Sequence, residues 1–210
     1  MADPEPTSDR LLFLPLSAAD AEEMVHVLSA ETLYTFTGGT PPTLDELRAR
    51  YIRQAAGRSP DGTQEWRNWI LRRKPAAKAI GYVQATIMDE GRRAEVAWVI
   101  GTPWQGQGYA SEAAKALLIW LRATGVTTVQ AHIHPAHTAS ATVARNAGLL
   151  PTAQFQRRRA TLATLLHPAP GTFPPLTSEW QGPPPLQAEG LSPMRPPGRT
   201  SPGATQTPRP

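Results

Sequence analysis

Apolar residues in the middle of the chain fall into three strand-length runs, 66–74, 79–88 and 94–100. Pro75-Ala76-Ala77-Lys78 and Asp89-Glu90-Gly91-Arg92-Arg93 separate them, so the pattern predicts a three-strand meander joined by hairpin loops. Gly81, inside the second run, predicts a close backbone approach. Upstream, residues 10–16 read as a strand stopped near Pro15. A helix then opens within residues 17–23, with Ser17 or Asp20 as its cap. Met24, Val25, Leu28 and Leu33 would form its apolar side. A second helix, from Thr43 to about Ala56, repeats Leu44, Leu47, Tyr51 and Ile52 at three- and four-residue steps. Downstream, an Ala/Leu-rich helix covers roughly residues 110–123, with Leu117, Trp120 and Leu121 as core. It crosses over to a strand at residues 127–133. That crossover should be right-handed and leave the strand parallel to the third run. A short helix then ends at Gly148, a natural left-handed stop. The expected fold class is α/β with a mixed sheet, spanning residues 10–166 between a frayed stretch at 1–9 and a Pro-rich, disordered 167–210.

Composition narrows the chemistry. The 210 residues contain no cysteine, so neither disulfides nor a covalent thioester on the protein is available. The net charge of +4 owes much to arginines after Arg157 and argues weakly for nucleic acid, which is not an expected partner. No apolar run approaches the ~20 residues of a membrane span, and MADPEPTSD lacks the layout of a secretion signal. A cytoplasmic protein that binds no membrane is expected.

The chemistry concentrates in residues 95–121. A strand runs into Gln105-Gly106-Gln107-Gly108-Tyr109-Ala110-Ser111 and then into a helix. Helix N-termini offer free amides and partial positive charge, and glycines let an anion approach the backbone. No Lys-Ser or Lys-Thr follows, which excludes the Walker loop, and Ser111 stands where a dinucleotide fingerprint needs its third glycine. The spacing Gln-x-x-Gly-x-Ala resembles the acyl-CoA turn of the GNAT superfamily of N-acetyltransferases, as do the flanks Ala94-Glu95-Val96-Ala97-Trp98-Val99-Ile100 and Tyr109-Ala110-Ser111-Glu112-Ala113. Ser140, Val143, Gly148 and Leu149 match the family's second signature, with His137 in its asparagine position, where it can donate a hydrogen bond instead. The resemblance covers about residues 10–150. It is closest to the branch that acetylates N-terminal amines of ribosomal proteins.

That resemblance implies a GNAT-like fold and direct acetyl transfer from acetyl-CoA to a primary amine, on a protein N-terminus or a small molecule, without metal. It assigns cofactor contacts to Trp98, Val99, Ile100, Gln105, Gly106, Gln107, Gly108, Tyr109, Ala110, Ser111, His137 and Ser140. Glu95 is the candidate base, or else a surface carboxylate at a strand end. Ser140 is a candidate donor to the departing sulfur, or else an N-cap. Tyr34 and Phe36 are candidate acceptor contacts, or else packing aromatics. Glu112, in the first turn of the helix, should bond away from phosphates. His132 and His134 face one way and with His137 suggest a cluster, but no further ligand motif supports a metal. His134 would carry a proton or cap the strand.

After Pro151 the family's closing hairpin is not legible. An out-of-frame reading of the gene from about Arg157, or a natural Pro-rich segment able to form polyproline II, accounts for the change. Two other functions therefore compete: a CoA-binding but catalytically defective protein, and an interaction protein working through its Pro-rich segment. The oligomeric expectation is a monomer or homodimer.

Overall fold

The computed structural model describes residues 5–156 and 159–165. One seven-stranded sheet runs in the order β1-β2-β3-β4-β5-β7-β6. Strand β1 (Leu11–Pro15) leads to α1 (Ala21–Val27) and α2 (Leu44–Ala55). The meander follows as β2 (Glu65–Arg73), β3 (Lys78–Met88) and β4 (Arg93–Ile100), each antiparallel to its neighbour. Helix α3 (Tyr109–Ala123) crosses to β5 (Thr128–Ile133), which is parallel to β4.

Two apolar cores lie on opposite faces. Leu117, Trp120 and Leu121 of α3 pack with Val96 and Ile100 of β4 in one. Met24, Leu28, Leu47 and Tyr51 pack with Ile70 and Tyr82 in the other. Period two along β4 splits its residues between the faces: Val96, Trp98 and Ile100 go with α3, while Val99 goes with α1 and α2. Gly81 is packed as its sequence setting predicts. A Cβ there would lie 2.1 Å from the Val99 carbonyl oxygen.

Several expectations need correction. Ser17 and Asp20 both serve the start of α1: Ser17 begins a single 3-10 turn with Asp20 bonded back to its amide at 2.9 Å, and α1 follows at Ala21. Leu33 lies beyond α1, in a second 3-10 turn. Ile52 is 59% exposed, because it falls outside the apolar stripe of α2 that Leu44, Leu47 and Tyr51 carry. Helix α4 (Thr138–Asn146) starts before Ser140, with His137 at its N-cap, so Ser140 does not cap it. At its other end Gly148 (φ +95°) and Leu149 donate to Arg145 and Ala144 carbonyls, the double closure expected of a left-handed glycine stop. The closing hairpin is present as β6 (Leu150–Gln156) and β7 (Arg159–Leu165), with β7 filed between β5 and β6. Arg157 and residues 167–210 lie outside the described residues. No helix among the described residues is long and apolar enough to cross a membrane.

Candidate active site

Strands β4 and β5 part company halfway. Only Arg93, Ala94 and Glu95 pair with Thr128, Val129 and Gln130. Beyond them β4 stays on β3 through Ile100 while β5 stays on β7 through Ile133. Among the described residues, the facing edges of residues 96–100 and 131–133 therefore have no strand partner, and their amides and carbonyls border a cleft. Such groups need acceptors and donors from elsewhere. The cleft opens into a cavity of about 800 Å³, lined by β4, the end of β5, the glycine turn, the first turn of α4 and the segment between α1 and α2.

The glycine turn ends in Gly108, whose φ of +83° is left-handed, at the N-cap of α3. The first helical bond runs from Glu112 N–H to the Gly108 carbonyl at 3.0 Å, so the Tyr109, Ala110 and Ser111 amides have no helical acceptor. Gln105 pins the turn to the strand by donating to the Ile100 carbonyl at 2.9 Å. Gln107 donates to the Pro103 carbonyl and does not line the cavity. Asn146 donates to the Ser111 hydroxyl at 3.3 Å, tying α4 to the start of α3.

Arg10, just before β1, is the group the sequence did not disclose here. Its guanidinium donates to the Gln107 carbonyl at 3.1 Å, sits over the Tyr109 ring at 4.5 Å and pairs with Glu112 at 2.6 Å. Its backbone amide donates to the same carboxylate at 2.8 Å. Burial alone would raise the Glu112 carboxyl. Hydrogen bonds from Arg10 and Ser8 and the Arg10 charge outweigh it and hold the group below its ordinary value. Glu112 thus stays ionised and faces Arg10, away from the free amides. Local pattern carries no sign of this pair, whose members stand 102 residues apart.

Of the other expected residues, Trp98, Val99, Ile100, Gly106, Gly108, Tyr109, Ala110, Ser111, His137, Ser140, Tyr34 and Phe36 all line the cavity. Tyr34 donates its hydroxyl to the Leu28 carbonyl at 2.9 Å. Burial raises its pKa, with Arg50 opposing, so it stays a neutral phenol. Phe36 stacks on His137 at 4.4 Å and meets His134 at 5.5 Å, bridging the α1–α2 segment to α4. His134 caps the strand end: its Nδ1 accepts the Ala136 amide at 3.2 Å. Burial, then neighbouring His134, lowers the His137 pKa and favours its neutral, hydrogen-bonding form. Among the described residues no three His, Asp or Glu side chains gather as metal ligands.

Glu95 does not reach the cavity wall. Its Oε1 lies 3.4 Å from His132 Nε2, and His132 does line the cavity. The two are 18% and 12% exposed, a carboxylate behind an imidazole. The sequence placed His132 on the correct face but only as a possible metal ligand.

An acetyltransferase (GNAT) domain model matches residues 10–150. No curated protein matches the chain in sequence. Solved structures with the same fold include a GNAT-family acetyltransferase from Bacillus anthracis, 19% identical, with a TM-score of 0.63 over 76% of this chain and 97% of that one. RimL, a ribosomal L7/L12 α-N-protein acetyltransferase in complex with coenzyme A, is 15% identical, with a TM-score of 0.63 over 76% and 96%. AAC(6′)-Ib, in complex with paromomycin and acetyl-CoA, is 16% identical, with a TM-score of 0.63 over 75% and 94%. With the split sheet and the glycine turn in place, the match across residues 10–150 means that this chain belongs to the GNAT acetyltransferase family.

Proposed function

We propose that the protein transfers acetyl directly from acetyl-CoA to a primary amine. The observation that carries this is the parting of β4 from β5 beside the free amides of α3. An extended pantetheine arm replaces the missing strand partner along residues 96–100, and the Tyr109, Ala110 and Ser111 amides hold the pyrophosphate. A β4 amide donates to the thioester carbonyl and stabilises the oxyanion that forms there.

The amine lone pair attacks that carbonyl, the C–S bond breaks and the CoA thiolate leaves. Ser140, third in α4, offers its hydroxyl to the sulfur, and the α4 N-terminus favours the developing negative charge. The proton lost by the amine passes to the Glu95–His132 pair, with His132 facing the substrate and Glu95 orienting it. An α-amine, with a pKa near ~8, needs less help than a lysine near ~10.4. No cysteine exists to carry the acyl group as a thioester, and direct transfer requires both substrates to be bound together.

The test supplies acetyl-CoA with a panel of primary amines and follows CoA thiol release and the mass of the acetylated product. Glu95→Gln and His132→Asn should each lower kcat about a hundredfold, with KM for acetyl-CoA unchanged. Acetyl-CoA binding without turnover on any amine would instead favour a CoA-binding protein without catalysis.

The Arg10–Glu112 pair gives a second expectation. Removing Arg10 leaves a carboxylate uncompensated close to the phosphate site. Arg10→Ala should weaken acetyl-CoA binding by about tenfold, and Glu112→Gln added to it should restore most of the loss. Calorimetric titration of the two single variants and the double variant checks this. A double variant no better than Arg10→Ala would leave Arg10 with a purely structural role.

A further inference from the structure

Most half-buried arginines described here have partners: Arg72 pairs with Glu23 and Asp20, and Arg48 with Glu22. Arg50 on α2 is half-buried, lines the cavity and has no hydrogen bond or ion pair among the described residues. The arginines without any partner elsewhere, such as Arg53, Arg58 and Arg122, are exposed to solvent. The nearest carboxylate along the helix, Glu46, is committed to Thr43, whose amide and hydroxyl it accepts at 2.8 and 2.9 Å. Among the described residues no Asp or Glu lines the cavity. Arg50 acts electrostatically on the Glu46 carboxylate, to which it makes no hydrogen bond, and on the Tyr34, Tyr51 and Tyr82 phenols. Tyr82 is 6% exposed, borders the cavity and makes no hydrogen bond among the described residues. Its phenol stays protonated, since burial pushes its pKa well up. Two donors of this kind without hydrogen-bond acceptors among the described residues mark a place for an anion.

This end of the cavity belongs to α2 and the α1–α2 segment, on the sheet face opposite α3. The α3 amides already supply a site for the donor's phosphates. We propose that Arg50 receives an anionic group of the acceptor, so that the preferred substrate is a primary amine carrying a carboxylate or phosphate near its nitrogen, not a polycation. The inference rests on the acetyl-transfer function proposed above and narrows it.

Binding and turnover separate the two ideas. Full-length protein saturated with CoA is titrated with three labelled peptides of equal length, each beginning with a free serine amine. The second and third residues are acidic, phosphoserine or basic. An acidic or phosphorylated peptide should bind at least tenfold more tightly than the basic one, and the better of the two identifies the anion. Arg50→Gln should abolish the preference, Arg50→Glu should reverse it, and acetyl-CoA affinity should not change. Equal or better binding of the basic peptide overturns the proposal. So does a preference that survives Arg50→Gln, or a loss of acetyl-CoA affinity in that variant, which would assign Arg50 to the donor. An Arg50-dependent acidic preference without turnover on any peptide upholds the anion site while the transfer reading falls.

Discussion

Gly81→Ala should cost about 3 kcal/mol of folding stability, the upper end of what overpacking a core exacts. The added methyl would sit 2.1 Å from the Val99 carbonyl oxygen and 3.0 Å from the Ile100 Cα. Both are backbone atoms, so no rotamer change relieves the contact. Gly81 stands opposite Ile100 in the antiparallel register, and Gly101 donates to the Ile80 carbonyl at 2.8 Å just beyond it. Relief requires β3 and β4 to separate where β4 delivers its free edge to the cavity. Stability and acetyl-CoA binding should therefore fall together. Denaturant unfolding reads the first as a lower midpoint at constant m-value. A stability change within about 0.5 kcal/mol, the range of an ordinary surface substitution, would mean that this packing is not what holds β4 in place.

Gly81 shows how far the sequence could be followed. A glycine inside a strand pattern signals a close approach, but not to which atom. Likewise, the β2–β4 meander was legible because period-two runs and turn clusters act over a few residues. The glycine turn was legible because its chemistry is local to one strand-helix junction. What was not legible depends on residues distant in sequence. Arg10 and Glu112 meet only once β1 and α3 are both placed. His132 acquires its partner only when β5 lies parallel to β4, bringing it beside Glu95. The closing hairpin was missed because a family wording was absent. Strand pairing needs only an open edge, and β5 offers one that residues 159–165 fill. The N-cap alternative for Ser140 fails because the helix begins earlier, once His134 takes up the Ala136 amide and His137 begins α4.

Gly108→Glu should abolish acetyl-CoA binding while leaving the protein folded. At φ +83° any side chain pays about 1–2 kcal/mol for left-handed backbone. There is room for it, since the nearest atom to an added Cβ is the Arg10 Nη2 at 3.5 Å. The damage is chemical: a carboxylate tethered at the N-cap competes for the Tyr109, Ala110 and Ser111 amides that would otherwise receive a phosphate. Gly108→Ala pays the same strain without the charge and is the control. At a hundredfold excess of acetyl-CoA over Kd, the wild type should gain about 2.7 kcal/mol, or roughly 5–10 °C in Tm for a chain of this size. The alanine variant should keep most of that gain from its lower baseline, and the glutamate variant none. A full shift in Gly108→Glu would place acetyl-CoA somewhere other than the α3 N-terminus. No shift in the folded wild type would reduce the glycine turn to a strand-to-helix connection, and with it would go the role of the β4 edge as a seat for the pantetheine arm.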